Sequence, residues 1–521
     1  MKIFKHHLII RVGKTLIILL SFALELPAAQ FFIAPDGNDA NPGTLAEPKA
    51  TIDAVLDLIQ PGDTIQVRGG TYIRNTSIWI TSANDGSDSL RYTLMAYGSE
   101  EPLFDFSSSA FGLKGFRMSA SYWNILGLDI MGAGDNGMQI SGGSYNIIEN
   151  CRFFENRDTG LQLSNGAAYN RIINCDSYYN ADPPDYGDAD GFAPKLDVGT
   201  GNYFRGCRAW GNCDDGWDGY MRGNDDVTTT LDSCWTWGNG YLSDGSDPGS
   251  QANGNGFKMG GGDNSNGDSL MHHFELSHCL AFNNKAKGFD QNNNAGSMTL
   301  LNCSGFGNLT ANYRISRQLK SGQLLIVKNA VSHNGQVQLG SFAIQETNSW
   351  MNGISVSDDD FVSITPTLLD GPRQPDGSLP EIDFMHLAPG SDLIDSGTDV
   401  DLWYFGDAPD LGAFESRLPN LVTNPDIVLP RLNLAQNYPN PFNPSTKIGY
   451  YLPDAGMASV VVLDLRGREI IELSQNFQGA GLHSVIWDGM NAQGQRVAGG
   501  LYFYRLEVAG KSLTNKMLLL N

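Results

Sequence analysis

The sequence is short of positive charge: its 521 residues include 34 Lys and Arg against 57 Asp and Glu, for a formal net charge of −23. Proteins that bind nucleic acid concentrate positive charge, so this balance argues against a nucleic-acid partner. An acidic substrate would also need a local device, such as a bound cation, to offset repulsion from the protein.

Charged residues of both signs are scarce, at 17% of the chain, whereas glycine contributes 61 residues. Glycine, asparagine, aspartate and serine favour turns and helix caps over helix interiors, which disfavours a helical bundle. The composition is nevertheless 41% hydrophobic, which is too apolar for a disordered chain. The length exceeds that of one ordinary compact domain.

Long apolar runs are absent beyond the amino terminus, so no later segment is expected to cross a membrane. Near the amino terminus, basic residues precede the apolar run Leu16–Leu24, and the small residues Ala28 and Ala29 follow it. This order predicts a secretory signal peptide over residues 1–29 and an exported, soluble mature protein. The alternative is an uncleaved anchor, but that run is shorter than the ~20 residues a span needs.

An internal repeat predicts the fold. Six of the seven cysteines are each followed five positions later by asparagine, and neighbouring cysteines are as close as 24 residues. The pairs are Cys151 and Asn156, Cys175 and Asn180, Cys207 and Asn212, Cys234 and Asn239, Cys279 and Asn284, and Cys303 and Asn308. Coils of about 24 residues, with short strands and fixed turns, are typical of a parallel β-solenoid.

Stacking the coils would place like residues in columns. The asparagine column would satisfy backbone groups at one turn through side-chain hydrogen bonds from coil to coil. The cysteines could form disulfides in an exported protein. We expect buried free thiols instead, because side chains stacked in register point in parallel rather than toward each other.

The predicted solenoid covers residues 30–415. An amphipathic helix over about residues 50–60 would cover its first coil, with Thr51 as a possible N-cap, and residues 410–415 would form its last strand. The proline-containing residues 416–433 are typical of a linker. Short alternating strands then predict a small β-sandwich over residues 434–521. These strands are Ser459–Leu463, Val485–Trp487, Leu501–Leu506 and Leu513–Leu518.

The carboxy-terminal region contains Tyr-Pro-Asn-Pro-Phe-Asn-Pro-Ser-Thr at residues 438–446, Leu-Tyr-Phe-Tyr at residues 501–504 and a predicted strand that ends at the terminus. In these features it resembles the type IX secretion sorting domain. The resemblance implies export through the type IX machinery of a Gram-negative outer membrane, with release or attachment at the cell surface. The alternative is a carbohydrate-binding sandwich, which no aromatic platform favours.

Two coils are lengthened at the same place, by the insertions Ala181–Ala189 and Gly240–Asn255. Aligning the coils by the glycine that opens each following strand brings four carboxylates from adjacent coils together. These residues are Asp190, Asp214, Asp215 and Asp218. Lys258 then lies one coil beyond Asp218, and the two insertions would form the walls of a cleft.

Four converging carboxylates repel one another unless a cation binds them. Oxygen ligands without His or Cys suit Ca²⁺, which we predict at this place. The alternative is a set of turn aspartates that cap backbone amides. Residues 263–268 only partly resemble a calcium loop, and whether they bind metal is left open.

Lys258 is the predicted general base. A nearby cation would lower its pKa, and a neutral amine beside a Lewis acid suits removal of a weakly acidic carbon-bound proton. The matching substrate is a uronate polymer, in which Ca²⁺ binds the sugar carboxylate, lysine removes the carbon-5 proton and the 4-linked oxygen leaves by β-elimination.

At these residues the sequence resembles polysaccharide lyase family 9, the right-handed parallel β-helix pectate lyases. The matching blocks are residues 190–196, 214–218 and 256–258, with Pro194 as a minor departure. The resemblance implies a secreted pectate (polygalacturonate) lyase, with the four aspartates as Ca²⁺ ligands and Lys258 as the base. Lys195, Lys287 and Arg314 are tentative substrate contacts, although Lys195 could equally pack against the calcium carboxylates. We expect a monomer.

Alternative functions remain open. The same chemistry would serve a lyase acting on alginate or a glycosaminoglycan. A pectin hydrolase would need an acidic pair acting without Ca²⁺, together with a basic motif for the uronate that the sequence lacks. A non-catalytic surface polysaccharide-binding protein would not require a base beside a metal.

Overall fold

The computed structural model describes residues 9–12, 15–18, 28–223, 226–262, 269–402, 404, 406–416, 432–437, 440–453, 455–479 and 481–520. Most of the predicted signal peptide and linker, and all of residues 263–268, lie outside these ranges. Within the predicted signal peptide, β1 (Ile9–Val12) pairs antiparallel with β2 (Thr15–Ile18). No helix among the described residues has the length and hydrophobicity required to traverse a bilayer.

Three long parallel sheets wind around one core, which confirms the predicted parallel β-helix. The first sheet contains β3 (Gln30–Ile33), β4 (Thr64–Val67), β7 (Tyr92–Ala96), β10 (Trp123–Leu126), β13 (Ile147–Glu149), β16 (Arg171–Ile173), β19 (Asn202–Arg205), β22 (Val227–Asp232), β25 (His272–Ser277), β28 (Met298–Leu301), β31 (Leu325–Lys328) and β34 (Ile344–Glu346). The second sheet contains β5 (Gly70–Ile73), β8 (Pro102–Asp105), β11 (Asp129–Met131), β14 (Arg152–Phe154), β17 (Asp176–Tyr178), β20 (Arg208–Trp210), β23 (Trp235–Trp237), β26 (Leu280–Phe282), β29 (Ser304–Phe306) and β32 (Val331–His333). The third sheet contains β6 (Ile78–Ile80), β9 (Phe116–Met118), β12 (Met138–Ser141), β15 (Leu161–Ser164), β18 (Phe192–Pro194), β21 (Trp217–Asp218), β24 (Phe257–Lys258), β27 (Lys287–Asp290), β30 (Ala311–Ile315) and β33 (Val337–Leu339).

Both predicted columns are present. The six asparagines form a buried ladder in which each side-chain Nδ2 donates to the Oδ1 of the next, over 2.8–3.1 Å. All seven cysteines are buried and free, as expected. A second ladder at another turn, through Asn146, Asn170 and Asn202, was not predicted.

The helix at the amino-terminal end is shorter than predicted. Only α1 (Asp53–Leu56) is helical, although Thr51 Oγ1 accepts the Ala54 N–H at 3.2 Å as a cap would. The helix ends because the Leu58 N–H donates three residues back, to the Val55 carbonyl at 2.8 Å. Val55 and Ile59 still bury their side chains, so the segment contributes to the core despite the wrong bounds.

The predicted last strand, residues 410–415, is wrong. The parallel strands end at β34, and residues 410–415 form bends. Gly412 has a φ of +100°, and the Ala413 N–H donates to Ser304 Oγ at 2.9 Å, so this backbone does not continue a sheet. Apolar side chains of this carboxy-terminal part of the β-helix, from a single-turn 3₁₀ helix at Asp358–Asp360 onward, pack against the outside of the second sheet.

The carboxy-terminal region forms the predicted small antiparallel domain. One sheet contains β35 (Asn433–Leu434), β36 (Thr446–Leu452) and β39 (Gly481–Trp487), and the other contains β37 (Gly456–Leu463), β38 (Glu469–Gln478), β40 (Gly500–Val508) and β41 (Lys511–Leu519). Their core includes the fully buried Tyr450, Trp487 and Tyr504. The prediction missed β35, β36 and β38.

Candidate active site

The register of the third sheet confirms the predicted alignment of the coils. Asp218 pairs with Lys258, Lys258 with Asp290, and Asp290 with Arg314. These side chains therefore follow one another along one face of the sheet at about 4.8 Å per strand.

Asp190, Asp214 and Asp215 converge at the turns that precede β18 and β21. Carboxylate oxygens of the three lie within 4.8 Å of one another, and all three side chains are buried. Asp190 Oδ1 also accepts the Asp215 N–H at 3.2 Å, which ties the two turns together. Carboxylates are normally exposed, so burying three of them together destabilises the folded protein when no cation is bound.

The second insertion holds two of these carboxylates from its carboxy-terminal end. Asp214 Oδ1 accepts the Asn253 N–H at 2.5 Å, and Asp215 Oδ1 accepts the Asn255 N–H at 2.7 Å and its Nδ2 at 2.8 Å. Asn253 and Asn255 were not predicted as site residues. Asn255 directly precedes a strand-opening glycine, as Asp190 and Asp215 do, and could have been found by that alignment, whereas nothing in the repeat indicates Asn253.

The first insertion is organised by Asp182. Its carboxylate accepts the N–H groups of Gly187, Asp188 and Ala189 at 3.1–3.2 Å, and Cys213 donates its thiol to the same carboxylate at 3.2 Å. These contacts fix the backbone that leads directly into Asp190.

Two lysines partly neutralise the cluster. Lys195 Nζ lies 2.6 Å from Asp190 Oδ2 and 3.5 Å from Asp218 Oδ2. Lys258 Nζ lies 3.0 Å from Asp215 Oδ2 and 3.3 Å from Asp218 Oδ1. Asp218 lies outside the oxygen cluster but contacts both lysines. Counted with the three clustered aspartates, it makes four carboxylates against two ammonium groups, a formal excess of two negative charges, which one divalent cation would balance.

The pKa values of the site residues reflect this excess of negative charge. Burial, followed by repulsion from Asp215, raises the pKa of Asp214 well above its usual range. Burial also raises the pKa of Asp190, since the attraction of Lys195 does not offset burial together with Asp218 and Asp215. Burial alone would lower the pKa of Lys258, but the surrounding aspartates outweigh it and raise that pKa instead. The lowering of the Lys258 pKa that was predicted for the cation-bound protein stays a prediction.

The donor set fits a hard cation. Asp215 Oδ2 and Asn255 Oδ1 are buried without a hydrogen-bond partner among the described residues, although the former lies within ion-pair distance of Lys258. Buried polar atoms left in this way are costly. Three carboxylates and an amide oxygen, with no sulfur or imidazole, are ligands that Ca²⁺ accepts.

A cleft of about 330 Å³ opens beside the cluster. Lys195, Asp218 and Lys258 line it, as do Gly187 and Asp188 from the first insertion. The second insertion does not line this cleft, so only one of the two predicted walls is correct. Gly240–Asn255 instead supports the carboxylates and borders a separate cavity through residues 242–244.

Several other residues that line the cleft were not predicted. They are Asp158, Gln162, Leu196, Tyr220 and Arg222. Burial raises the pKa of Asp158 to about 6. Gln162 follows the strand-opening Gly160 by two positions, as Asp218 and Lys258 follow their own glycines, and could have been found by the same alignment. Tyr220 and Arg222 follow a two-residue strand and carry no repeat signal.

Two of the predicted substrate residues lie outside the cleft. Lys287 pairs with Asp290 at 3.0 Å. Arg314 is exposed on the same face as Lys258, two strands further along. The third, Lys195, lines the cleft but forms ion pairs with Asp190 and Asp218. These ion pairs favour packing against the carboxylates over direct substrate contact.

The fold and the site define a parallel β-helix protein with a lysine and buried carboxylates at one cleft, and comparisons with known proteins identify its family. The family described as "Pel9A-like, right handed beta helix region" matches residues 31–334. "Pectate lyase L" of Paenibacillus polymyxa (strain SC2) is 41% identical over 397 residues, covering 72% of this chain and 84% of that protein. The chain belongs to the Pel9A-like pectate lyase family, and it is an enzyme of the pectate lyase type.

Solved structures agree with this assignment. The crystal structure of pectate lyase Pel9A superposes with a TM-score of 0.68 at 35% identity, covering 75% of this chain and 97% of that one. A structure named "Rhamnogalacturonan lyase" superposes with a TM-score of 0.61 at 25% identity, covering 70% and 98%. In the carboxy-terminal domain, the family described as "FlgD Ig-like domain" matches residues 443–512.

Proposed function

We propose that this chain is a secreted, calcium-dependent pectate lyase that cleaves polygalacturonate by β-elimination. The observation that carries the proposal is the buried cluster of Asp190, Asp214 and Asp215 beside Lys258 in an open cleft. The name pectate lyase on relatives and on a solved structure supports this substrate.

Asp190, Asp214, Asp215 and Asp218 are the proposed calcium ligands. The first three already share one oxygen cluster, and Asp218 faces the cleft between the two lysines. Bound Ca²⁺ would supply positive charge that holds a uronate carboxylate and acidifies the adjacent carbon-bound proton. It would also match the excess of two negative charges in the cluster.

Lys258 is the proposed general base. Its amine lies at the cleft surface and is oriented by Asp215 and Asp218. The deprotonated amine would accept the carbon-5 proton of the uronate, and the electron pair released would form the double bond as the 4-linked oxygen departs. A general base is expected to act within hydrogen-bond reach of the proton it takes.

Other cations are proposed to position the cluster or the polymer. Lys195 would hold Asp190 and Asp218 at the distances described above. Arg314 would contact a uronate carboxylate, because it is exposed and makes no ion pair within the described part of the chain. Lys287 is proposed for the same role, although its ammonium group is paired with Asp290.

One assay tests the enzyme and its substrate together. The growth of ultraviolet absorbance from unsaturated ends should be largest on polygalacturonate, in comparison with alginate, chondroitin and rhamnogalacturonan, and should require Ca²⁺. A larger rate on another uronate polymer would support β-elimination but contradict polygalacturonate as the substrate. Binding to these polymers without any unsaturated product would favour a polysaccharide-binding protein.

The export route is a separate proposal. We infer that residues 1–29 are a signal peptide and that residues 434–521 direct type IX export, on the strength of the motif at residues 438–446. Deleting residues 434–521 should leave lyase activity intact and retain the protein in the periplasm. Unchanged export of the truncated protein would contradict the sorting role.

A further inference from the structure

The outward-facing residues of the third sheet form one continuous row that passes through the active site. Ladder pairing joins each residue to the next across ten strands, except between Ala193 and Asp218, where the residues directly before them, Phe192 and Trp217, are the ones that pair. The row is Trp79, Arg117, Gln139, Gln162, Ala193, Asp218, Lys258, Asp290, Arg314 and Gln338. Trp79 and Arg117 are exposed, the residues from Gln162 to Asp290 are buried apart from the half-buried Lys258, and Arg314 is exposed again.

The amino-terminal end of this row carries an exposed aromatic residue and an exposed cation in contact. The Trp79 side chain is 52% exposed, and the Arg117 guanidinium carbon lies 4.3 Å from the centre of a Trp79 ring. Arg117 makes no ion pair with any residue that the structure describes. A free guanidinium is notable in a chain with a net charge of −23, where acidic partners are plentiful.

The contact prepares Arg117 to bind a carboxylate. A guanidinium that stacks on an aromatic face keeps its planar N–H edge available, and that edge matches a carboxylate in two parallel hydrogen bonds. Stacking also restricts the long side chain before any ligand arrives, which lowers the entropic cost of binding. The partly exposed indole adds apolar surface suited to the face of a sugar ring.

We propose that Trp79 and Arg117 form a distal subsite that binds a uronate carboxylate of the same acidic polysaccharide chain whose cleavage takes place at Lys258. The inference rests on the proposed function, because it assumes that the polymer follows the row. Arg117 lies four strands from Asp218 and five from Lys258, which corresponds to about 19 and 24 Å at about 4.8 Å per strand. Only a long chain would occupy both places.

Steady-state kinetics of Arg117→Gln test the subsite. For long polygalacturonate we expect KM to rise by about 3–10-fold with kcat unchanged, because uniform binding is lost. For a galacturonate trimer, which is too short to span the distance, we expect no change. Arg117→Lys should recover little, since an ammonium lacks the bidentate edge, and Trp79→Ala should show the Arg117→Gln pattern more weakly.

Arg468→Gln is the matched control, because it removes one exposed positive charge from the carboxy-terminal domain. If it raises KM on the polymer as much as Arg117→Gln does, the effect is general electrostatics and the subsite is refuted. Equal KM changes on polymer and trimer, or no change on polymer, would also overturn it.

Affinity electrophoresis in gels containing polygalacturonate provides a readout that does not need turnover. Loss of retardation in Arg117→Gln, with retardation kept in Arg468→Gln, would support the subsite even if the wild type proved not to be a lyase. Retardation of Arg117→Gln equal to that of the wild type would refute the subsite while leaving the catalytic proposal intact.

Discussion

Two buried acidic centres on neighbouring sheets differ in how their charge is balanced. Asp176, on the second sheet, accepts hydrogen bonds from Arg208 at 2.7 and 2.8 Å and from Arg373 at 2.5 Å. Burial would raise its pKa, but the two guanidinium groups outweigh burial and lower it. At the cluster of Asp190, Asp214 and Asp215, burial and mutual repulsion raise the pKa values of all three carboxyls.

The difference in charge balance suggests different roles for the two centres. Arg208 also donates to the Leu369 carbonyl of the carboxy-terminal segment. Arg373, which belongs to that segment, donates to the Gly206 and Cys175 carbonyls of the β-helix, so the Asp176 centre fastens the segment to the β-helix. The other cluster also accepts hydrogen bonds from a long segment, the second insertion, but it retains excess negative charge. The two guanidinium groups more than compensate the charge of Asp176, which suits a structural role, whereas the carboxylates that the chain leaves in excess are the ones that we propose bind a cation.

Replacing Lys258 should give the largest functional effect and the smallest structural one. Lys258→Ala should lower kcat by about 10²–10⁴-fold, the range for losing a general base, with little change in the unfolding temperature. Lys258→Arg should be nearly as poor, because a guanidinium stays protonated. Wild-type activity should rise with pH, since the raised pKa keeps the amine protonated near neutrality. An Arg variant with near-normal kcat would show that Lys258 only binds the uronate.

Breaking the Asp176 centre should have the opposite signature. Asp176→Asn leaves two buried arginines short of a charge, and it should lower the free energy of unfolding by about 3–5 kcal/mol, measured by denaturant titration. Activity per folded molecule should persist. The control is Asp247→Asn, which breaks an exposed ion pair with Lys285 and should cost no more than about 1 kcal/mol. Similar losses from both would argue against the structural role of the Asp176 centre.

Acid should destabilise the β-helix through a third buried group near the active site. His272 Nδ1 contacts the Gly219 carbonyl at 2.9 Å and its Nε2 contacts Thr229 Oγ1 at 2.8 Å. Burial lowers the pKa of His272 from 6.5 to about 4. The unfolded chain therefore takes up a proton first, and stability falls between pH 6.5 and about 4.

The maximum contribution from His272 is about 3 kcal/mol, and the loss should level off below pH 4. Denaturant titrations of the wild type and His272→Gln across this range measure it. If the free energy of unfolding of His272→Gln falls with pH as steeply as that of the wild type, the acid sensitivity arises from other groups.

Much of this architecture could be predicted because the β-helix repeats. The cysteine and asparagine columns and the Asp218–Lys258–Asp290 register follow from the spacing of glycine-opened strands. The end of α1 and the bends at residues 410–415 could not, since both depend on single hydrogen bonds outside the repeat. The side chains of Asn253 and Arg222 were missed for the same reason: they lie in segments that only one coil has.

Whether the carboxylate cluster binds Ca²⁺ is the most direct test of the central claim. Calcium titration of the chelator-stripped protein, by calorimetry and by thermal unfolding, should show binding to the wild type with a raised unfolding temperature, because a ligand that binds only the folded state stabilises it. Asp215→Ala should bind at least tenfold more weakly while remaining folded in chelator, since β-helix stability is shared among coils, and Asp247→Ala should match the wild type. Equal calcium binding by Asp215→Ala, or full lyase activity of the wild type in excess chelator, would contradict the account.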